Sequence, residues 1–222
     1  MLLRQQKILF IHIPRTGGSS IEQYFFNFYN IKPSIFNFTS GYTIHKVSLS
    51  HTPYPFIKSA WLDSKETLDE EWIQFSIVRN PYDKVMSELL FWPNLGVTKD
   101  FQTHKDLEWR QEKILNALSA FITNSHGWSK TWAWDNHLHS QNFFLQEIPK
   151  NFKVFKFEEG ISNIMDRLGF ENFKHDNERH QDIKKRHNLE DVNYEELRTP
   201  EFIETINKHY EKDFERFGYE ML

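Results

Sequence analysis

Short unbroken apolar runs, each closed by a polar turn and followed by apolar residues at helical spacing, organise the first half of the chain. Runs of this kind indicate buried strands, and the i, i+3/i+4 stripes indicate amphipathic helices packed on them. The pattern predicts strands over 7–13, 44–50 and 72–78, with helices over 19–29, near 56–62 and over 81–91. The second half is more helical. Leu107–Phe121 predicts one helix, 152–157 a strand and 160–168 another helix, while 92–104 and 170–193 have the polar character of loops. The last helix is predicted over Pro200–Phe217, capped by Thr199, with Ile203, Ile206, Tyr210, Phe214 and Phe217 on one face and Gly218 ending it. Strands separated by helices indicate an α/β fold with a parallel sheet.

The segment that joins the first strand to the first helix carries the clearest chemistry. His12-Ile13-Pro14-Arg15-Thr16-Gly17-Gly18-Ser19-Ser20-Ile21 places two glycines, two serines and a fixed positive charge where a strand feeds a helix. Backbone N–H groups at such a junction are aimed at an anion, and the glycines let it approach closely. A plainer alternative makes Ser19 and Glu22 a capping box and the glycines a structural turn. G-x-x-x-x-G-K-[ST] is absent and no Lys follows Gly18, which disfavours an ordinary kinase or ATPase.

A second junction follows the strand over 72–78. In Arg79-Asn80-Pro81-Tyr82-Asp83-Lys84-Val85-Met86-Ser87, Asn80 suits an N-cap, Pro81 the first helical position and Asp83 the third. Ser87 lies about 9 Å along that helix from Pro81. A phosphate beside the helix would meet both the Arg79 fork and the Ser87 hydroxyl. The bland alternative pairs Arg79 with Asp83 on the surface and leaves Ser87 idle.

Together the two segments resemble those of sulfotransferases that use 3′-phosphoadenosine 5′-phosphosulfate (PAPS). The first is similar to the 5′-phosphosulfate loop and the second to the 3′-phosphate segment. The match is best with the carbohydrate branch that includes the heparan sulfate 2-O- and 6-O-sulfotransferases, whose loop commonly reads P-K-T-G-G-T-S. The resemblance extends through Phe157-Glu158-Glu159, Leu168-Gly169 and the closing segment Tyr210–Tyr219, and so covers nearly the whole chain. It implies a single sulfotransferase-like domain over 1–222, a P-loop-like parallel sheet flanked by helices, and transfer of a sulfuryl group from PAPS to an acceptor, leaving adenosine 3′,5′-bisphosphate. Carried over by position, it implies that Arg15, Thr16, Gly17, Gly18, Ser19 and Ser20 surround the 5′-phosphosulfate and that Arg79 and Ser87 grip the 3′-phosphate. Arg15 departs from the Lys of many relatives, although tyrosylprotein sulfotransferases also carry Arg there. A guanidinium binds two oxygens at once, whereas an ammonium is a mobile point charge.

Sulfuryl transfer requires a base for the acceptor proton, positive charge beside the bridging oxygen and an in-line arrangement, by analogy with phosphoryl transfer. Arg15 and the helix N-terminus can supply the charge, which makes Arg15 a catalytic candidate as well as a ligand. Ser50-His51-Thr52-Pro53-Tyr54 resembles the G-H-x-x-Y-like context in which relatives carry a base, so His51 is the candidate base and His45 the fallback; the plain alternative is a surface histidine at a strand end. The segment Trp128–Gln141 is rich in indole, imidazole and amide groups that suit a sugar-binding wall or ordinary packing. A metal at Asp135, His137 and His139 is disfavoured, with no Cys and no H-E-x-x-H in the chain.

Composition narrows the picture further. The 222 residues include 21 Phe, enough for an aromatic core, and 27 Lys plus Arg against 31 Asp plus Glu. That net charge of −4 argues against broad nucleic-acid binding and requires the positive charge for a polyanion to be local. Lys184-Lys185-Arg186-His187 sits beside Asp182, Glu190 and Asp191 and reads as a solvated mixed-charge loop. The absence of cysteine excludes disulfides, and no apolar stretch is long enough for a membrane span or signal peptide, so a cytoplasmic protein is expected. The expected acceptor is a glycan or another hydroxyl compound. The rival classes are a non-catalytic glycan- or nucleotide-binding protein on the same scaffold and a nucleotide kinase with an unusual loop.

Overall fold

The computed structural model describes residues 1–39, 43–44, 47–61, 71–91, 97–125, 136–137, 139–170, 173 and 189–222. In chain order the strands are β1 (Leu2–Leu3), β2 (Ile8–Ile11), β3 (Thr43–Ile44), β4 (Val47–Ser48), β5 (Ile73–Val78) and β6 (Lys153–Lys156). The helices are α1 (Gly18–Phe28), α2 (Tyr54–Trp61), α3 (Pro81–Phe91), α4 (Val97–Thr103), α5 (Leu107–Ser125), α6 (Gln141–Phe144), α7 (Ile161–Arg167) and α8 (Pro200–Phe217). The chain divides into two compact units, Met1–Arg79 with Trp128–His175, and Asn80–Gly127 with Asp176–Leu222.

The first unit holds a four-stranded sheet in the order β1-β2-β5-β6, flanked by helices, as the α/β reading requires. β2, β5 and β6 are parallel, in register Ile11↔Ser76 and Val78↔Lys156, whereas β1 pairs antiparallel with β2. The sheet is therefore mixed at one edge. Phe10, Phe75, Ile77 and Phe155 project to one face, where Ile21 and Phe25 of α1 and Ile161, Ile164 and Met165 of α7 cover them. Because alternate strand residues share a face, His12 follows Ile8 and Phe10 onto this covered side, its ring 5.9 Å from that of Phe10.

Two local expectations fail here. The segment read as one strand over 44–50 is instead the antiparallel pair β3–β4 followed by a 3₁₀ turn, Leu49–His51. Thr52 Oγ1 donates to Leu49 O at 2.7 Å and closes that turn, and Pro53 then opens α2 by accepting from Phe56 and Ile57. Strand β2 also stops at Ile11, two residues before the predicted end, because the chain turns into the glycine loop.

The second unit is helical among its described residues. α3 begins as the sequence indicates, with Asn80 Oδ1 accepting the Tyr82 N–H at 3.0 Å. Asp83 pairs with Arg198 at 2.5 Å, not with Arg79. α4 occupies part of the stretch read as a loop over 92–104; among its described side chains Val97 and Phe101 are buried, too sparse a signal to stand out. In α8 the Thr199 hydroxyl caps the Phe202 N–H at 3.2 Å, and Gly218 ends the helix in the left-handed region. Its buried face is Phe202, Ile206, Tyr210, Asp213 and Phe214, rotated from the predicted one, with Ile203 and Phe217 only half-buried. No helix among the described residues is long and apolar enough to cross a membrane.

Candidate active site

The parallel register brings the ends of β2, β5 and β6 to the same edge of the sheet, so the three segments leaving them meet there. Ligands of open α/β sheets bind at this carboxyl edge. From β2 comes the loop His12–Gly17, from β5 comes Arg79, and from β6 comes Phe157. The guanidinium of Arg79 donates to Arg15 O at 3.2 Å and lies 4.7 Å from the Phe157 ring centroid. Gln141 grips the Arg79 peptide from both sides: its Oε1 accepts the Arg79 N–H at 2.7 Å, and its Nε2 donates to Arg79 O at 2.8 Å.

The loop is shaped by its own backbone and by what lies beneath it. Arg15 has φ 65° and Gly17 φ 85°, both left-handed. The fully buried Thr16 turns its hydroxyl inward to Ile13 O at 2.8 Å, so that oxygen serves the loop. Gly17 occupies the N-cap position of α1. The predicted alternative of a Ser19–Glu22 capping box is thereby overturned, because Ser19 lies inside the helix and Glu22 Oε1 pairs with His12. Ser19 is exposed and Ser20 half-buried at the first turn.

The two glycines prove to be a packing requirement. A Cβ on Gly18 would fall 2.0 Å from His12 Cδ2 and 2.3 Å from its Nε2, and one on Gly17 would fall 2.2 Å from Ile161 Cδ1. On the Cβ side of both glycines the space is filled by the protein's own side chains.

Below the loop, His12 is buried and its Nδ1 lies 2.8 Å from Oε1 of the equally buried Glu22. Burial is the largest influence on His12 and lowers its pKa below the usual value, opposed by Glu22 and helped by His51. The buried Met1 amino group, lowered to about 6 by the same cause, is also drawn upward by Glu22. The His51 ring stands edge to face with His12 at 4.8 Å between centroids and with His137 at 4.9 Å. Asn136 Nδ2 donates to His51 O at 2.9 Å.

Of the residues singled out from the sequence, Arg15, Thr16, Gly17, Gly18, Ser19, Ser20, Arg79 and His51 all belong to the first unit. Ser87 lies on α3 in the second and is buried. His45, Asp135 and the tryptophans of 128–135 lie outside the described residues. Glu22 enters the sequence pattern only as a capping-box partner, Gln141 only within the segment suited to a sugar-binding wall, and Phe157 only through the family resemblance. Glu22 had one available signal, a carboxylate in the 18-21-22-25 stripe that α1 turns inward.

A largely parallel α/β sheet whose strand β2 runs into a glycine loop at a helix N-terminus, with a guanidinium tied to that loop, has the layout of an anion-binding site. A family model described as the Sulfotransferase family matches residues 1–220, and the chain belongs to that family. It is a sulfotransferase, moving a sulfuryl group to a hydroxyl-bearing acceptor. No curated protein and no solved structure matches the chain.

Proposed function

We propose that this sulfotransferase takes its sulfuryl group from PAPS and delivers it to a hydroxyl of a carbohydrate, releasing adenosine 3′,5′-bisphosphate. The observation that carries the reading is the bond from Arg79 to the backbone of Arg15, which links the two cofactor-like segments at the carboxyl edge of one sheet. The residue types fit the group: guanidinium side chains, serine hydroxyls and a helix N-terminus suit a polyanion.

PAPS supplies an activated sulfuryl group attached to a phosphate leaving group. Arg15, the first N–H groups of α1 and the hydroxyls of Ser19 and Ser20 would hold the 5′-phosphosulfate; Thr16 and the two glycines shape the loop that does so. Arg79 would take the 3′-phosphate. His51 would accept the proton of the acceptor hydroxyl, and Arg15 would stabilise the negative charge on the phosphate leaving group.

The test is binding followed by transfer. Adenosine 3′,5′-bisphosphate is expected to raise the melting temperature, and Arg79→Ala to abolish the rise. His51→Ala is expected to keep the rise and lose turnover with radiolabelled PAPS and a panel of heparosan, chitosan and neutral oligosaccharides. A protein that does not bind the bisphosphate refutes the PAPS reading. Transfer only to non-carbohydrate hydroxyls refutes the glycan assignment alone.

A further inference from the structure

The proposed base is not held by the 3₁₀ turn alone. His51 packs against two rings, His12 at 4.8 Å and His137 at 4.9 Å, both edge to face. His12 is firmly anchored. It is 4% exposed, stacked on Phe10, locked over Gly18 and bonded to Glu22, which is 1% exposed. A carboxylate can only accept, so the Glu22 bond assigns the His12 proton to Nδ1 and fixes the ring against flipping. A buried carboxylate with a buried imidazole is costly to maintain, and a packed apolar pair of similar volume would serve stability as well or better.

We infer that Glu22 and His12 form a positioning pair for His51: the carboxylate sets the tautomer and orientation of His12, and His12 in turn holds the His51 imidazole for proton transfer. The inference rests on the proposed role of His51 as base. Neither Glu22 nor His12 touches the reacting atoms in this scheme. The same His12 ring fills the space beneath Gly18, so one side chain orients the base and supports the first residue of the cofactor-binding helix. Three titratable groups face His12: Glu22 from α1, His51 from the 3₁₀ turn and the Met1 amino group from the chain start. Of these, Glu22 alone is bonded to the ring.

Nitrogen-edited histidine NMR spectra of the full chain, saturated with adenosine 3′,5′-bisphosphate, test the geometry without any acceptor. The Nδ1–H tautomer is expected for His12, with cross-relaxation to a single set of His51 ring signals. The Nε2–H tautomer, or multiple His51 signals in the parent protein, overturns the proposal. Glu22→Gln preserves side-chain volume and is expected to mix the His12 tautomers and broaden the His51 signals. In radiolabelled transfer assays it is expected to lower kcat by about tenfold or more while KM for PAPS stays within about threefold, with Glu22→Asp recovering part of the loss. Unchanged kcat and unchanged His51 signals in Glu22→Gln show a merely structural pair and overturn the inference; so does a loss of bisphosphate affinity equal to the loss of kcat. Failure of the parent protein to bind the bisphosphate is a different outcome and refutes the PAPS reading itself.

Discussion

Gly18→Ala is the sharpest test of how the loop is built. The new methyl would sit 2.0, 2.3 and 2.5 Å from Cδ2, Nε2 and Cγ of His12, where ordinary carbon contacts begin at about 3.5 Å. His12 would have to retreat by about 1.5 Å, and its 2.8 Å bond to Glu22 would then exceed hydrogen-bonding range. Breaking a buried pair of this kind costs about 3–5 kcal/mol. Exchanging Gly for Ala in a helix returns at most about 1 kcal/mol. The expected loss is therefore about 2–4 kcal/mol, measured by urea unfolding. The cause is isolated by a double-mutant cycle, because His12→Ala removes the obstructing ring. In that background Gly18→Ala should be stabilising by up to about 1 kcal/mol, giving a coupling of about 3–5 kcal/mol. Gly18→Ala as stable as the parent, or equally costly with and without the His12 ring, refutes the packing account of the glycine.

Other outcomes follow from the same contacts. Gln141→Ala removes both hydrogen bonds to the Arg79 peptide; unfolding should register a loss of about 1–3 kcal/mol, and calorimetric titration a weaker affinity for adenosine 3′,5′-bisphosphate although the Arg79 side chain is intact. Thr199→Ala deletes the α8 cap and should cost about 1 kcal/mol in urea unfolding with no change in bisphosphate affinity. The pH dependence of stability should carry a His12 contribution. Burial holds its folded-state pKa below the ordinary value of 6.5, so between the two values only the unfolded chain takes up the proton. That contribution is whole above pH 6.5 and is lost as pH falls, with a slope of at most about 1.4 kcal/mol per pH unit. Unfolding curves of parent and His12→Asn should therefore converge on acidification; a constant gap between them would rule this out.

Much of the first unit was legible because its elements are long or strongly apolar. Ile73–Val78 and Ile8–Ile11 are unbroken buried runs, and α1 shows its Ile21 and Phe25 stripe plainly. Elements that escaped notice gain their stability from tertiary partners. β1 is two residues long and exists by pairing with β2, while β3 and β4 are two residues each, inside a run whose composition suggested one strand. At the site, the anion loop and Arg79 declared themselves through residue type and spacing. Glu22 did not, because its position three residues after Ser19 satisfies a local capping rule equally well. The choice between cap and buried partner depends on a histidine ten residues earlier that only the folded sheet brings beside it. Gln141 is more remote still, lying 62 residues from the peptide it holds.

These long-range contacts change what the glycine loop means. A loop whose glycines merely admitted an anion would be free to move before binding and would pay for its ordering each time. Here every strained or small position has a support: His12 lies under Gly18, Ile161 under Gly17, the Thr16 hydroxyl ties to Ile13, and the Arg79 guanidinium holds the left-handed Arg15 at its carbonyl. The ordering cost is met during folding, so an anion bound as proposed would meet a preformed surface. Substitutions beneath the loop should accordingly appear first in unfolding free energy and turnover, whereas those above it, at Ser19, Ser20 or the Arg79 fork, should appear first in bisphosphate affinity. If both groups of variants lost affinity in proportion to stability, the loop would be forming only on binding, and the supports beneath it would have to be read as ordinary core packing.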